Sequence, residues 1–134
     1  MSNKAELPSP DRSFSIRSRL RSFRFAGRGL RWLVQDEHNA WLHLAASVAV
    51  IGAGLLLEIP LSEWRWLVLF IALVWLAEAF NTALEDLCDY VSPEFDAVIG
   101  RVKDLAAGAV LVASIAAALI GLATLLPPLL EKVH

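Results

Sequence analysis

The sequence predicts an all-α membrane protein, with three transmembrane helices preceded by an N-terminal amphipathic surface helix. Three observations carry that prediction. Hydrophobic residues make up 57% of the chain, above the usual range for soluble domains. They gather into three runs long enough to cross a bilayer. Ahead of them lies an arginine-rich stretch whose apolar residues recur at helical spacing. With 134 residues there is room for one domain and not for two of ordinary size.

Residues 1–12 read as a flexible tail broken by Pro8 and Pro10, and residues 13–134 as a single membrane-embedded domain. The polar opening MSNKAELPSPDRSFS lacks the apolar core of a signal peptide, so insertion is expected to rest on retained spans. The surface helix is expected over about residues 13–36. There Ile16, Leu20, Phe23, Leu30 and Val34 form one line, and Arg17, Arg21, Arg24, Arg28 and Arg31 a neighbouring flank. A basic amphipathic helix of this kind suits an anionic membrane surface. An arginine-rich stretch also suits nucleic acid, but beside so much lipid-compatible sequence a nucleic-acid partner is not expected.

The first span is expected over about residues 40–57, which contain no charge. The turn EIPLSE follows. The second span covers about residues 64–84, with Trp64 and Trp66 at headgroup level and Arg65 snorkelling outward. A polar connection of about twenty residues, EDLCDYVSPEFDAVIGRVKD, comes next, with Pro93 stopping the helix. The third span covers about residues 105–126. Its Ala106, Ala109, Ala113 and Ala117 offer a small-residue face for close packing. Eight of the twelve Lys and Arg residues lie in the first 31 positions. The positive-inside rule therefore puts the N-terminus in the cytoplasm. Three spans then put the Glu85–Asp104 connection on that side too, where ATP is.

Seven of the fourteen acids fall between Glu78 and Asp104. In LAEAFNTALEDLCDY they interrupt an apolar helix. At helical spacing Glu78, Asn81, Glu85 and Asp89 share one face, while Asp86 points elsewhere. An ionised acid facing lipid costs about 3 kcal/mol on insertion scales, so such a stripe argues for a polar cleft or a bound cation. Glu85, Asp86 and Asp89 also suit a helix end emerging into water, Asp86 best of all; Glu78, seven residues deeper than Glu85, suits it poorly. The donors are hard oxygens, which suit Mg²⁺ better than Zn²⁺. Asp36 and Glu37 at the start of the first span are either a solvated helix end or a second contributor. In the latter case Glu37 and Glu85 share a metal. Arg101, Lys103 and Asp104 stand at the mouth of the third span, where cations can neutralise phosphate. The single Cys88 excludes an intramolecular disulfide and a Cys-based zinc site. There is no G-x-x-x-x-G-K-[ST] loop and no protein-kinase signature.

The stretch EAFNTALEDLCDYVSPEFDAVIGRVKDLAAGAVLVA resembles the signature of the small prokaryotic diacylglycerol and undecaprenol kinase family: Glu-x-x-Asn-[Ser/Thr]-Ala-x-Glu, an Asp four residues on, then Lys-Asp before Ala/Gly-rich sequence. The segment FRFAGRGLRWLVQDEHNAWLHL resembles that family's surface helix and first span, so the similarity covers roughly Phe23 to Leu122. The resemblance implies a bacterial inner-membrane lipid kinase using ATP and Mg²⁺. It also implies a homotrimer with active sites between subunits at the cytoplasmic interface.

Carried over by residue, the resemblance implies Glu78 as the general base on the lipid hydroxyl. Glu37 and Glu85 become holders of Mg²⁺ and ATP phosphates, with Asn81 orienting groups beside them. Asp89, Lys103 and Asp104 become nucleotide contacts, and Arg28 and Gly29 surface-helix positions near the nucleotide. His43 stands where the undecaprenol branch tends to have His and the diacylglycerol branch Glu, which tilts the acceptor toward a polyprenol. Trp41 departs from the family pattern, replacing a basic residue often found two positions earlier, and His38 and Asn39 resemble the undecaprenol branch only in part. Two other function classes fit the composition: a small ion or proton transporter using Glu78, and a non-catalytic membrane assembly subunit. The first needs only the deep acid. The kinase needs Glu37, Asn81, Glu85 and Lys103 together, and the sequence has all four.

Overall fold

The computed structural model describes residues 16–94 and 96–133, with their side chains other than those of residues 16–18 and 36. It contains four helices: α1 (Ile16–Asp36), α2 (His38–Leu56), α3 (Leu61–Val91) and α4 (Ala97–Val133). The last three are each long and apolar enough to cross a membrane, and among the described residues there is no strand. The all-α membrane architecture expected from the sequence is the one observed. The expected tail and the first three positions of the surface helix lie outside the described residues.

On α1 the apolar residues Leu20, Phe23 and Leu30 are exposed, and among its described side chains Leu33 alone lies in the core. Such an outward apolar line is what a helix lying on a bilayer presents. The Arg28 guanidinium lies over the Phe25 ring, 5.5 Å from its centroid. Helix α1 ends at Glu37, whose extended backbone (φ −102°, ψ 121°) redirects the chain into α2. Ala40, fully buried, sits immediately after the bend.

Helices α2 and α3 form a hairpin whose turn is locally determined. The Glu58 amide donates to the Leu55 carbonyl and the Ile59 amide to the Gly54 carbonyl, both at 3.2 Å. This is a Schellman ending, with Glu58 in the left-handed position (φ 52°) that glycine usually takes. Its accompanying apolar contact is made by Ile59, which is buried and packs over Gly54 beside Trp64. A Cβ at Gly54 would lie 3.0 Å from the Trp64 ring, tighter than an ordinary contact, so the close approach favours glycine there.

Helix α3 packs chiefly on α4 and more sparsely on α2. Its buried residues are Leu67, Val74, Glu78, Asn81 and Cys88. Leu67, Val74, Asn81 and Cys88 recur every seven residues, a single packing seam. That seam is apolar over its first half and turns polar at Glu78 and Asn81. The 31 residues of α3 span about 46 Å, more than the ~30 Å hydrocarbon core, so the helix projects beyond the bilayer.

Much of the expected polar connection is helical: α3 continues to Val91 and α4 begins at Ala97. Water tolerates a polar helix as readily as a polar loop, so the helices do not stop where the apolar runs stop. Pro93 does end α3, two residues after Val91. Asp96 starts α4 as its N-cap, accepting from the Val98 amide (2.7 Å) and the Ile99 amide (3.1 Å). At the other end α4 runs through Pro127 and Pro128 to Val133. Lys132 Nζ donates to the Leu56 carbonyl (2.7 Å) and ties α4 to the C-terminus of α2. Of the expected small-residue face, Ala106 is buried and Ala109 is exposed. The buried small positions farther along α4 are Gly121 and Thr124.

Two substitutions test the hairpin. Glu58→Gly relieves a left-handed side-chain residue and is expected to stabilise the protein by about 1 kcal/mol. Gly54→Leu forces side-chain atoms into Trp64 and is expected to destabilise it by about 1–3 kcal/mol. Thermal unfolding in detergent micelles measures both, with opposite signs expected.

Candidate active site

The site begins with one carboxylate. Glu78 is 1% exposed, the most completely buried large side chain among the described residues. Its Oε2 has no hydrogen-bond donor. The imidazole Nε2 of His43, on α2, lies 3.7 Å from that oxygen. One turn along α3, Asn81 is 7% exposed. Its Nδ2 donates to Glu85 Oε1 at 3.1 Å, which leaves its Oδ1 buried and without a donor. The hydroxyl of Thr82 is also buried and unpaired. Leaving a buried polar atom unpaired costs about 1–3 kcal/mol. Several such atoms clustered in one region mark a place built to receive donors or a cation.

Around this pair the remaining acids are graded by depth. Glu37 and Glu85 are part-buried and lie within electrostatic reach of Glu78. Glu37 occupies the N-cap position of α2 without making a side-chain cap hydrogen bond, so its carboxylate is not committed to the helix. Farther out, Asp89 and Lys103 pair across α3 and α4. Both projecting helix ends are needed for that contact. Asp86 and Asp104 are exposed, as the helical count requires for Asp86.

An apolar cleft of about 640 Å³ opens between α2, α3 and α4, and His43 is the residue of this cluster that borders it. His43, Ser47, Val74 and Ser114 line its walls, with leucines of α4 at the far end. A mostly apolar cavity of this size with a few polar groups is the usual character of a small-molecule site.

The helical stripe expected from the sequence is therefore present, with Glu78, Asn81 and Glu85 together and Asp89 one turn beyond. His43 and Glu37 join it from the neighbouring segments. Arg28 and Gly29 are exposed on α1, where Arg28 packs over Phe25 instead of meeting the carboxylates. The side chain of Asp36 lies outside the described residues. Sequence reasoning overlooked Trp75 and Ser47, which hydrogen-bond between α3 and α2 (Trp75 Nε1 to Ser47 Oγ, 3.1 Å). A hydroxyl and an indole facing each other within two apolar spans were the available signal.

Among the described residues no three His, Cys, Asp or Glu side chains converge on one point as a preformed metal centre. The donor set nevertheless fits Mg²⁺, which commonly takes one or two carboxylates and completes its shell with water and substrate phosphate. Glu37 and Glu85 supply the carboxylates, and Asn81 Oδ1 is an uncommitted hard oxygen.

Comparison with known proteins agrees with this arrangement. The family model for prokaryotic diacylglycerol kinase matches residues 24–125, which include every residue named in the site. An undecaprenol kinase of Bacillus subtilis is 34% identical over 123 residues, covering 92% of this chain and all of the relative. A diacylglycerol kinase of Synechocystis is 41% identical over 111 residues, covering 82% of this chain and 63% of the relative's length. With a buried carboxylate at lipid depth, an acid set at the helix ends and this match over the three spans, the chain belongs to the prokaryotic diacylglycerol kinase family, a family of lipid kinases.

Proposed function

We propose that this protein, a single membrane-embedded domain over residues 13–134, transfers the γ-phosphoryl group of ATP directly to the hydroxyl of a membrane lipid alcohol. Undecaprenol is the favoured acceptor and diacylglycerol the second. The observation that carries this reading is the depth ordering of the acids. Glu78 is buried with a free oxygen, and Glu85, Asp89 and Lys103 follow along the way out to water. A phosphoryl donor from water and an alcohol held in the membrane meet between those levels.

In this mechanism Glu78 Oε2 accepts the proton of the lipid hydroxyl as that oxygen attacks the γ-phosphorus in line. Glu37 and Glu85 would hold Mg²⁺ and the phosphates, and the ion supplies charge neutralisation. Asn81 fixes the Glu85 carboxylate through its 3.1 Å hydrogen bond. Lys103, released from Asp89 or shared with it, offsets triphosphate charge, while Asp89 and Asp104 border the nucleotide. Arg28 and Gly29 approach it from the surface helix. Phosphoryl transfer relies on positioning and electrostatic stabilisation more than on covalent help, and these residues supply both. No phosphoenzyme is formed. His43 against Glu78 favours the polyprenol, and the full-length match to the undecaprenol kinase supports the same choice.

The arginine excess of the N-terminal segment favours a bacterial inner-membrane location with that terminus cytoplasmic. The large apolar side chains exposed on all three spans are compatible with lipid and with further subunits, and a homotrimer is the assembly proposed.

Two variants separate the roles. Glu78→Gln keeps the shape and removes the base, so turnover is expected to fall about 10²–10⁴-fold with ATP affinity nearly unchanged. Retained turnover contradicts the base assignment. Glu85→Gln is expected to raise the Mg²⁺ concentration needed for half-maximal activity, read from a magnesium titration at fixed ATP. An unchanged titration contradicts the ligand role.

A further inference from the structure

We propose that Trp75 and Ser47 are positioning residues for the acceptor end of the site, their hydrogen bond setting the register of α2 against α3 and so the contact of His43 with Glu78. The inference rests on the reading above that Glu78 meets the lipid hydroxyl.

The geometry is a short ladder between antiparallel helices. One rung is His43–Glu78, at 3.7 Å. The next is Ser47–Trp75, at 3.1 Å. Ser47 is four residues after His43 on α2, and Trp75 is three residues before Glu78 on α3. Each step is about one helical turn, so the second rung sits directly beneath the first, deeper in the membrane.

The polarity of the second rung is fixed. The Ser47 hydroxyl spends its one proton on the His43 carbonyl, at 2.7 Å. Its lone pairs are then left for the indole N–H, which can only donate. The chain Trp75 to Ser47 to the His43 carbonyl thus ends on the backbone of the residue that faces Glu78.

Packing alone does not hold this register. Helix α3 is committed mainly to α4 and touches α2 sparsely. On the side where α2 faces the other spans, His43 and Ser47 border the open cleft instead of interlocking side chains. At the level of His43, where the cleft lies open, a small rotation of α2 would move the imidazole out of reach of Glu78. The interhelical hydrogen bond lies among apolar residues, where water is not at hand to replace it. A displacement of about 1 Å beside the reacting atoms can cost on the order of a hundredfold in rate.

The test uses the full chain in detergent micelles, with Trp75→Phe, Ser47→Ala and Ser47→Thr, each alone and in a His43→Ala background. Trp75→Phe and Ser47→Ala are expected to lower kcat for lipid phosphorylation about tenfold or more without changing KM for ATP. Ser47→Thr, which keeps the hydroxyl, is expected to retain activity. In the His43→Ala background the same changes are expected to add little, because their effect passes through His43. An equal loss in both backgrounds, or a parallel rise in KM for ATP, overturns the proposal. A second measurement does not depend on turnover. The ring ¹⁵N resonances of His43 are expected to change in Trp75→Phe much as they do in Glu78→Gln. Unaltered His43 resonances overturn the positioning role even in an active kinase. Absence of lipid phosphorylation by the parent protein would instead count against the kinase reading, with the resonances still deciding the ladder.

Discussion

Glu78 is held inside a membrane bundle at 1% exposure with one oxygen lacking a donor, and the rest of the structure can be understood from the cost of keeping it there. A charged group at that depth is tolerated only inside a bundle or next to a cavity. The packing seam of α3 answers that constraint. It buries Leu67 and Val74 against the other spans and then, on the same line, turns Glu78 and Asn81 inward. His43 reaches the carboxylate from α2 and itself borders the apolar cleft. The acid is thus kept from lipid, with His43 touching both it and the cleft.

The long projecting ends of α3 and α4 serve the same purpose from the aqueous side. Because α3 continues to Val91 and α4 starts at Ala97 with Asp96 as its cap, Asp89 and Lys103 stand on ordered helix surface and pair across it. A flexible connection of twenty residues would have left those groups without fixed positions. With α3 ending before Pro93 and α4 capped by Asp96, most of the polar segment is helical and places Asp89 and Lys103 on facing helices. Glu37, held at a bend with its carboxylate unspent on capping, adds a further acid from the α1–α2 junction.

Much of this was legible in the sequence, for physical reasons that apply residue by residue. The three spans follow from apolar length, and the stripe Glu78–Asn81–Glu85–Asp89 follows from a period that a helix cannot avoid. Asp86 as a bystander follows from the same count. Interhelical pairings were harder to read. The Trp75–Ser47 bond depends on which faces of α2 and α3 meet, and a sequence of long apolar runs does not state that. The span limits do not coincide with the helix ends, because hydropathy marks where a bilayer stops and not where a helix stops; Pro93 was the available signal for the end of α3. The left-handed Glu58 was hidden too, since the turn there uses a residue that gives no glycine signal.

The central claim is that this chain moves a phosphoryl group from ATP to a lipid alcohol. The most direct measurement incubates the purified protein in mixed micelles with γ-labelled Mg-ATP and either undecaprenol or diacylglycerol, then follows label in the extracted lipid. The account predicts labelled lipid phosphate, faster with undecaprenol, and no label left on the protein. Absence of labelled lipid with both alcohols, or a phosphorylated protein lying on the path to product, would contradict it.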